Sequence, residues 1–200
     1  MPPKKEKKGI KLSIKVDGAA SDPSSGKLGV GVVVKLDDKV INEISEKAGF
    51  GTNSEAEYKA IIRGLDEAIK LHEKGINYDY VVINSDSQFA IMQLKGVYKV
   101  KAQHLMKYYG KARELTNKLQ KKMGKKVYFN DIKRIYNQRA DELANIAIIG
   151  KKEYEKKRKR EELLKLASKG IEVIPLSIFR RKGWEKLYPF FSLLMVQQQL

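Results

Sequence analysis

Apolar and polar positions alternate over residues 11–17, K-L-S-I-K-V-D. Leu12, Ile14 and Val16 share one side, and Lys11, Ser13 and Lys15 the other. That is the period of a half-buried strand. Asp17 falls on the polar side, at the rim of a sheet. Gly18 after it is expected to let the chain turn and a ligand come close. Residues 28–36 (L-G-V-G-V-V-V-K-L) predict a second strand, with Gly29 and Gly31 where another backbone can approach. Asp37-Asp38-Lys39 reads as a tight turn and 40–48 as a third strand. Short turns between the three imply an antiparallel meander.

The period then lengthens. Thr52-Asn53-Ser54 offers helix caps, and Ala56, Ala60, Ile61, Leu65, Ala68, Ile69 and Leu71 form a helical stripe ending near Glu73, before Gly75. Residues 79–84 (D-Y-V-V-I-N) are β-branched and suit a buried strand. A short helix from Phe89 to Leu94, a long amphipathic helix over 102–123, a strand over 126–130 and a helix over 138–149 follow. The order predicts an α/β (mixed α+β) domain: a five-stranded mixed sheet, its first three strands antiparallel, with helices on both faces.

Residues 1–9 read as a basic flexible arm, 10–149 as the domain and 150–200 as an extension. The extension opens with a charged helix over 151–169, expected to pack through Leu163, Leu164 and Leu166. A short strand is expected at 171–175. The apolar run 190–196 is too short to span a bilayer; it closes a patch on this chain or on a second copy. A monomer is expected, with a dimer through the tail as the alternative.

Composition narrows the partners. The 200 residues carry a formal net charge of +17 and no cysteine. Such an excess favours a polyanion, nucleic acid before membrane. The chain has no disulfide framework, no cysteine-held zinc and no apolar run long enough for a membrane helix. The N-terminus lacks the apolar stretch of a secretory signal, so a cytoplasmic (intracellular) protein is expected.

Four acids stand out against this basic background. Asp17 follows the first strand, Glu57 opens the first long helix, Asp86 follows the buried strand, and Asp141 lies early in the helix over 138–149. If strands 1 and 4 are neighbours, their ends bring Asp17 and Asp86 together, and two helix N-termini add Glu57 and Asp141. Such a cluster needs positive charge to offset its repulsion. Hard divalent ions with oxygen ligands supply it, and Mg²⁺ at two nearby sites is the usual agent of phosphodiester hydrolysis.

The segments holding these acids are V-D-G-A-A-S at 16–21, T-N-S-E-A-E-Y-K-A at 52–60, N-S-D-S-Q at 84–88 and N-Q-R-A-D-E-L-A at 137–144. In that order they resemble type 1 ribonuclease H. G-V-Y-K-V-K at 96–101 resembles its archaeal-like branch, which lacks a long basic protrusion. The resemblance covers about residues 10–149.

It implies an endoribonuclease that cuts the RNA strand of RNA–DNA hybrids with two Mg²⁺ ions, or Mn²⁺ in their place. Asp17, Glu57, Asp86 and Asp141 would be both catalytic and metal-binding. Glu55 is the rival to Glu57, but the spacing T-N-x-x-x-E selects Glu57 and leaves Glu55 a surface acid favoured by the helix dipole. Gly18, Asn53, Ser54 and Gln88 would meet the RNA, with Lys99, Lys101, Arg134 and Asn137 as further substrate contacts. Cleavage of double-stranded RNA is also implied as a possibility of the branch. A histidine common in the loop before the last helix is missing here, and Arg134 is its candidate replacement. Two other readings stay open: a non-catalytic module binding hybrid or double-stranded RNA, and the ribonuclease H domain of a reverse transcriptase-like protein.

Overall fold

The computed structural model describes residues 9–169, except the side chain of Ala167. The basic arm, the strand at 171–175 and the apolar run at 190–196 lie outside the described residues. One mixed sheet has the order β3-β2-β1-β4-β5. β1 (Lys11–Ala20), β2 (Gly26–Leu36) and β3 (Lys39–Gly51) form the antiparallel meander. β4 (Tyr80–Ser85) runs parallel to β1, and β5 (Lys126–Asp131) parallel to β4. This is the architecture expected from the hydrophobic pattern.

Alternation sorts the side chains of the sheet onto two faces. Leu12, Ile14, Val16, Val30, Val32, Val34, Val81 and Ile83 point one way and are buried. Helices α1 (Asn53–Glu73) and α3 (Gln103–Asn117) close this main core with Ile61, Leu65 and Leu115. Each such aliphatic side chain contributes about 1.5–3 kcal/mol. The short α2 (Gln88–Leu94) adds Ile91 and Leu94. A π-helical turn, Lys118–Lys122, continues α3 and buries Leu119, which accounts for the helical pattern reaching residue 123.

Helix α4 (Gln138–Ile149) lies on the other face over a smaller core of Val33, Ala140 and Leu143. A Cβ at Gly29 or Gly31 would stand 2.1 or 2.0 Å from the carbonyl oxygen of Ala144 or Ala140. These are the backbone approaches that the two glycines suggest.

The start of α1 takes one of the three caps that Thr52, Asn53 and Ser54 offer. Thr52, not Asn53, is the N-cap. Its hydroxyl accepts from the Glu55 N–H at 3.3 Å, and the Glu55 carboxylate accepts from the Thr52 N–H at 2.8 Å. Glu55 is therefore a capping acid. Thr52→Ala is expected to cost ~1 kcal/mol, read as a lower midpoint in urea unfolding.

Packing divides the chain into units 1–154 and 155–200. Helix α5 (Lys151–Ser168) spans that division. Leu163 and Leu164 are exposed, against the expectation that they pack. The helix is charged on all sides, so it presents no continuous apolar stripe.

Candidate active site

The Asp17-Gly18 pair is strand rather than turn, because β1 continues to Ala20. A Cβ on Gly18 would stand 2.1 Å from the Ala56 carbonyl carbon and 2.3 Å from the Glu57 nitrogen. The first turn of α1 therefore lies directly on β1. Gly18 is buried, and the helix occupies the approach that the sequence suggests for a ligand.

The other acids arrive as topology dictates. In the parallel β1–β4 register Lys15 pairs with Asn84, so two residues on Asp17 and Asp86 lie level. Asp141 sits in the first turn of α4, the helix seated on Gly29 and Gly31. Four elements thus bring four carboxylates to one place.

Asn137, expected at the substrate, is instead fully buried. Its Nδ2 donates to Asp86 Oδ1 at 2.6 Å, Asp17 Oδ1 at 3.2 Å and the Val16 carbonyl at 3.0 Å. It ties both acids to β1 and does not face outward. Its place four residues, one helical turn, before Asp141 is the sequence signal for this position. Arg134 Nη2 lies 3.1 Å from Asp141 Oδ1, on a side chain 80% exposed.

The electrostatics of the cluster are strained. Burial, then the charges of Glu57, Asp86 and Asp141, push the Asp17 carboxyl up to about 9. Burial and Asp86 push Glu57 up to about 8, against the opposing Gly18 N–H and Arg134. Among the described residues, the buried side-chain atoms without a hydrogen-bond partner are Glu57 Oε2 and Asn137 Oδ1. An oxygen-only donor set with an orphaned carboxylate oxygen and self-repelling charge fits hard divalent cations. Among the described residues no three of these side chains form a ready-made ion cage. The Asn137 amide lies between Asp17 and Asp86, and Arg134 lies on Asp141.

A pH dependence follows. Both carboxyls are raised above their unfolded values of 3.8 and 4.5, so the folded chain binds protons more tightly than the unfolded one. The stability they contribute is complete at low pH and is lost as pH rises through about 8 to 9. In EDTA the melting temperature is expected to fall from about pH 5 to pH 9. Saturating divalent ion is expected to flatten that slope, checked by thermal scans with and without it.

The remaining candidates are at the surface. Asn53 and Ser54 are exposed at the start of α1, Gln88 at the start of α2, and Lys99 and Lys101 between α2 and α3. A cavity of about 610 Å³ lies elsewhere, between α1, α3 and β3, and none of the four carboxylates lines it.

A meander extended by parallel strands, with acids meeting where β1 and β4 adjoin, defines a ribonuclease H-like fold. A family model described as reverse transcriptase-like matches residues 15–147. The bifunctional protein Rv2228c of Mycobacterium tuberculosis is 34% identical over 140 residues, 70% of this chain and 36% of that protein. The chain thus spans about a third of that relative's length. Among solved structures, LC11-RNase H1 isolated from compost is 34% identical with a TM-score of 0.61, covering 69% of this chain and 95% of that one. RNase H1 of the halophilic archaeon Halobacterium salinarum is 30% identical with a TM-score of 0.59, covering 68% and 96%. The chain belongs to the ribonuclease H family, in its type 1 branch.

Proposed function

We propose that this protein is an endoribonuclease that hydrolyses the RNA strand of RNA–DNA hybrids, leaving 5′-phosphate and 3′-hydroxyl ends. The observation that carries this is the meeting of Asp17, Glu57, Asp86 and Asp141, with two carboxyls pushed to about 9 and 8, in a chain of charge +17. LC11-RNase H1 has been solved in complex with an RNA/DNA hybrid, which supports hybrid as the ligand class.

Asp17, Glu57, Asp86 and Asp141 would hold two divalent ions, Mg²⁺ or Mn²⁺ in its place. Bound there, such ions would supply a lowered pKa for water and positive charge near the departing oxygen. The protein's own residues do the rest. Asn137 fixes the directions of Asp17 and Asp86. The Gly18 N–H opposes the upward shift of the Glu57 carboxyl. Asn53, Ser54 and Gln88, exposed at the starts of α1 and α2, would meet the 2′-hydroxyls that separate RNA from DNA. Lys99 and Lys101 are free to take backbone phosphates, which makes binding weaken with salt. A shared A-like minor groove extends the substrate range to double-stranded RNA.

End-labelled hybrid, double-stranded RNA and DNA duplex, each incubated with Mg²⁺, Mn²⁺ or EDTA, test this. Internal cuts in the hybrid's RNA with either metal, none in EDTA and none in DNA, are expected. Tight binding with no cutting in either metal would replace this function with that of a binding module.

A further inference from the structure

Helix α4 covers only part of its face of the sheet. It sits over β2, through Gly29, Gly31 and Val33, and reaches β3, where the Ser45 hydroxyl donates to the Leu143 carbonyl. It also meets β1, and beyond it the same face of β4 and β5 carries no helix among the described residues. There Tyr80 stands between Lys11 and Lys126 in the strand registers. Two residues on, Val82 stands beside Tyr128. The next row is Lys15, Asn84 and Asn130, and the row after it begins with Asp17. The face therefore leads toward the carboxylate site, with the turn that holds Tyr136 and Asn137 at the border between them.

Its chemistry is one-sided. Tyr128 is 49% exposed and meets the Tyr80 ring edge-on at 5.9 Å. Lys35 of β2, paired with Ser13, adds a further ammonium. Asp37 stands beside Lys11, its carboxylate accepting from the Lys11 N–H at 3.0 Å, and among the described residues Lys11, Lys15, Lys35 and Lys126 form no ion pair. Lys15 is turned toward the Tyr136 carbonyl at 2.5 Å, which leaves Lys11, Lys35 and Lys126 for a ligand. A second copy of this chain, itself at +17, is a poor match for such a surface. A polyanion with flat apolar rings is a good one.

We propose that this open face binds single-stranded RNA running on from a hybrid held at the carboxylates. Bases stack on Tyr80 and Tyr128, and phosphates lie on Lys11, Lys35 and Lys126. Aromatic groups on a sheet stack unpaired bases in this way, and ammonium groups track the backbone. The choice of RNA over DNA rests on the function proposed above, which puts the RNA strand at Asp17.

Fluorescence anisotropy in EDTA tests the face without cleavage. The probes are one hybrid made blunt, with an RNA overhang of about ten nucleotides at either end, or with the equivalent DNA overhang, plus free single-stranded RNA. The RNA overhang is expected to tighten binding about tenfold over the blunt hybrid. Tyr128→Ala and Lys126→Glu are each expected to remove most of that gain and to weaken free RNA binding, with blunt affinity unchanged. An overhang that adds nothing, or a gain that survives both variants, overturns the proposal. Equal gains from DNA and RNA overhangs overturn the choice of RNA. A dimer in light scattering that Tyr128→Ala dissociates, with overhang binding untouched, reassigns the face to protein contact. Cleavage of the blunt hybrid in Mg²⁺ reports separately on the proposed function. If it stays uncut while free RNA still binds in a Tyr128-dependent way, that function fails and the single-strand face stands.

Discussion

Replacing Asp17 by Asn is expected to abolish cleavage and, without divalent ions, to make the chain more stable. The side chain is nearly isosteric and remains within reach of Asn137 and Asp86. What changes is charge. A carboxyl pushed up to about 9 costs the fold on the order of 4 kcal/mol at pH 7 relative to the unfolded chain. The amide escapes that cost but must satisfy its own donors, so a net gain of ~2 kcal/mol is expected, or about 4–8 °C in melting temperature. The same substitution removes a central oxygen donor, and activity is expected to fall by about 10³-fold or more. Melting in EDTA and in Mg²⁺, beside a hybrid cleavage assay, checks both halves. The ion-induced rise in melting temperature is expected to shrink in the variant, because a poorer site stabilises less. A variant that melts lower than the parent in EDTA would remove the repulsion account of this cluster.

Gly18→Ala is expected to damage the fold and the site together. One methyl group would stand 2.1 Å from the Ala56 carbonyl carbon, a backbone atom that moves only if α1 moves. Overpacking of this kind costs ~3 kcal/mol. The helix turn that must shift is the one carrying Glu57, and a displacement near 1 Å at such a site is worth about 10²-fold in rate. Urea midpoints and single-turnover cleavage at saturating Mg²⁺ separate the two losses. Gly110→Ala is the control. A Cβ on Gly110 of α3 meets nothing within 4 Å, so the added methyl is expected to stabilise the helix by ~0.5–1 kcal/mol without touching activity.

Much of this was legible in the chain. Alternation over 11–17 and the β-branched run before Asn84 define the two strands whose adjacency unites Asp17 with Asp86. The helical period after Thr52 places Glu57 in an opening turn, and α4 begins at the expected Gln138. What stayed hidden is what pairing and packing decide. Asp-Gly is a common turn pair, and only the position of α1 shows that Gly18 is needed for a close approach of two backbones. Asn137 reads as one more polar residue before a helix; its three acceptors come from β1 and the end of β4, far away in sequence. Val40 and Ile41 look like core residues, yet they lie on the edge strand β3 and are exposed.

The two faces of the sheet also differ in how tightly they hold their helices. Helix α1 is sealed by the main core, whereas α4 rests on a cluster of Val33, Ala140 and Leu143 and on polar ties such as Arg139 to Glu43 at 2.6 Å. Lifting α4 exposes less apolar surface than lifting α1, so α4 is expected to open at a lower free energy than global unfolding. Asp141 would leave with it, while Asp17, Glu57 and Asp86 would stay on the part expected to exchange more slowly. The fourth carboxylate is thus expected to come and go with α4, so that the site could be taken apart and rebuilt without unfolding the sheet.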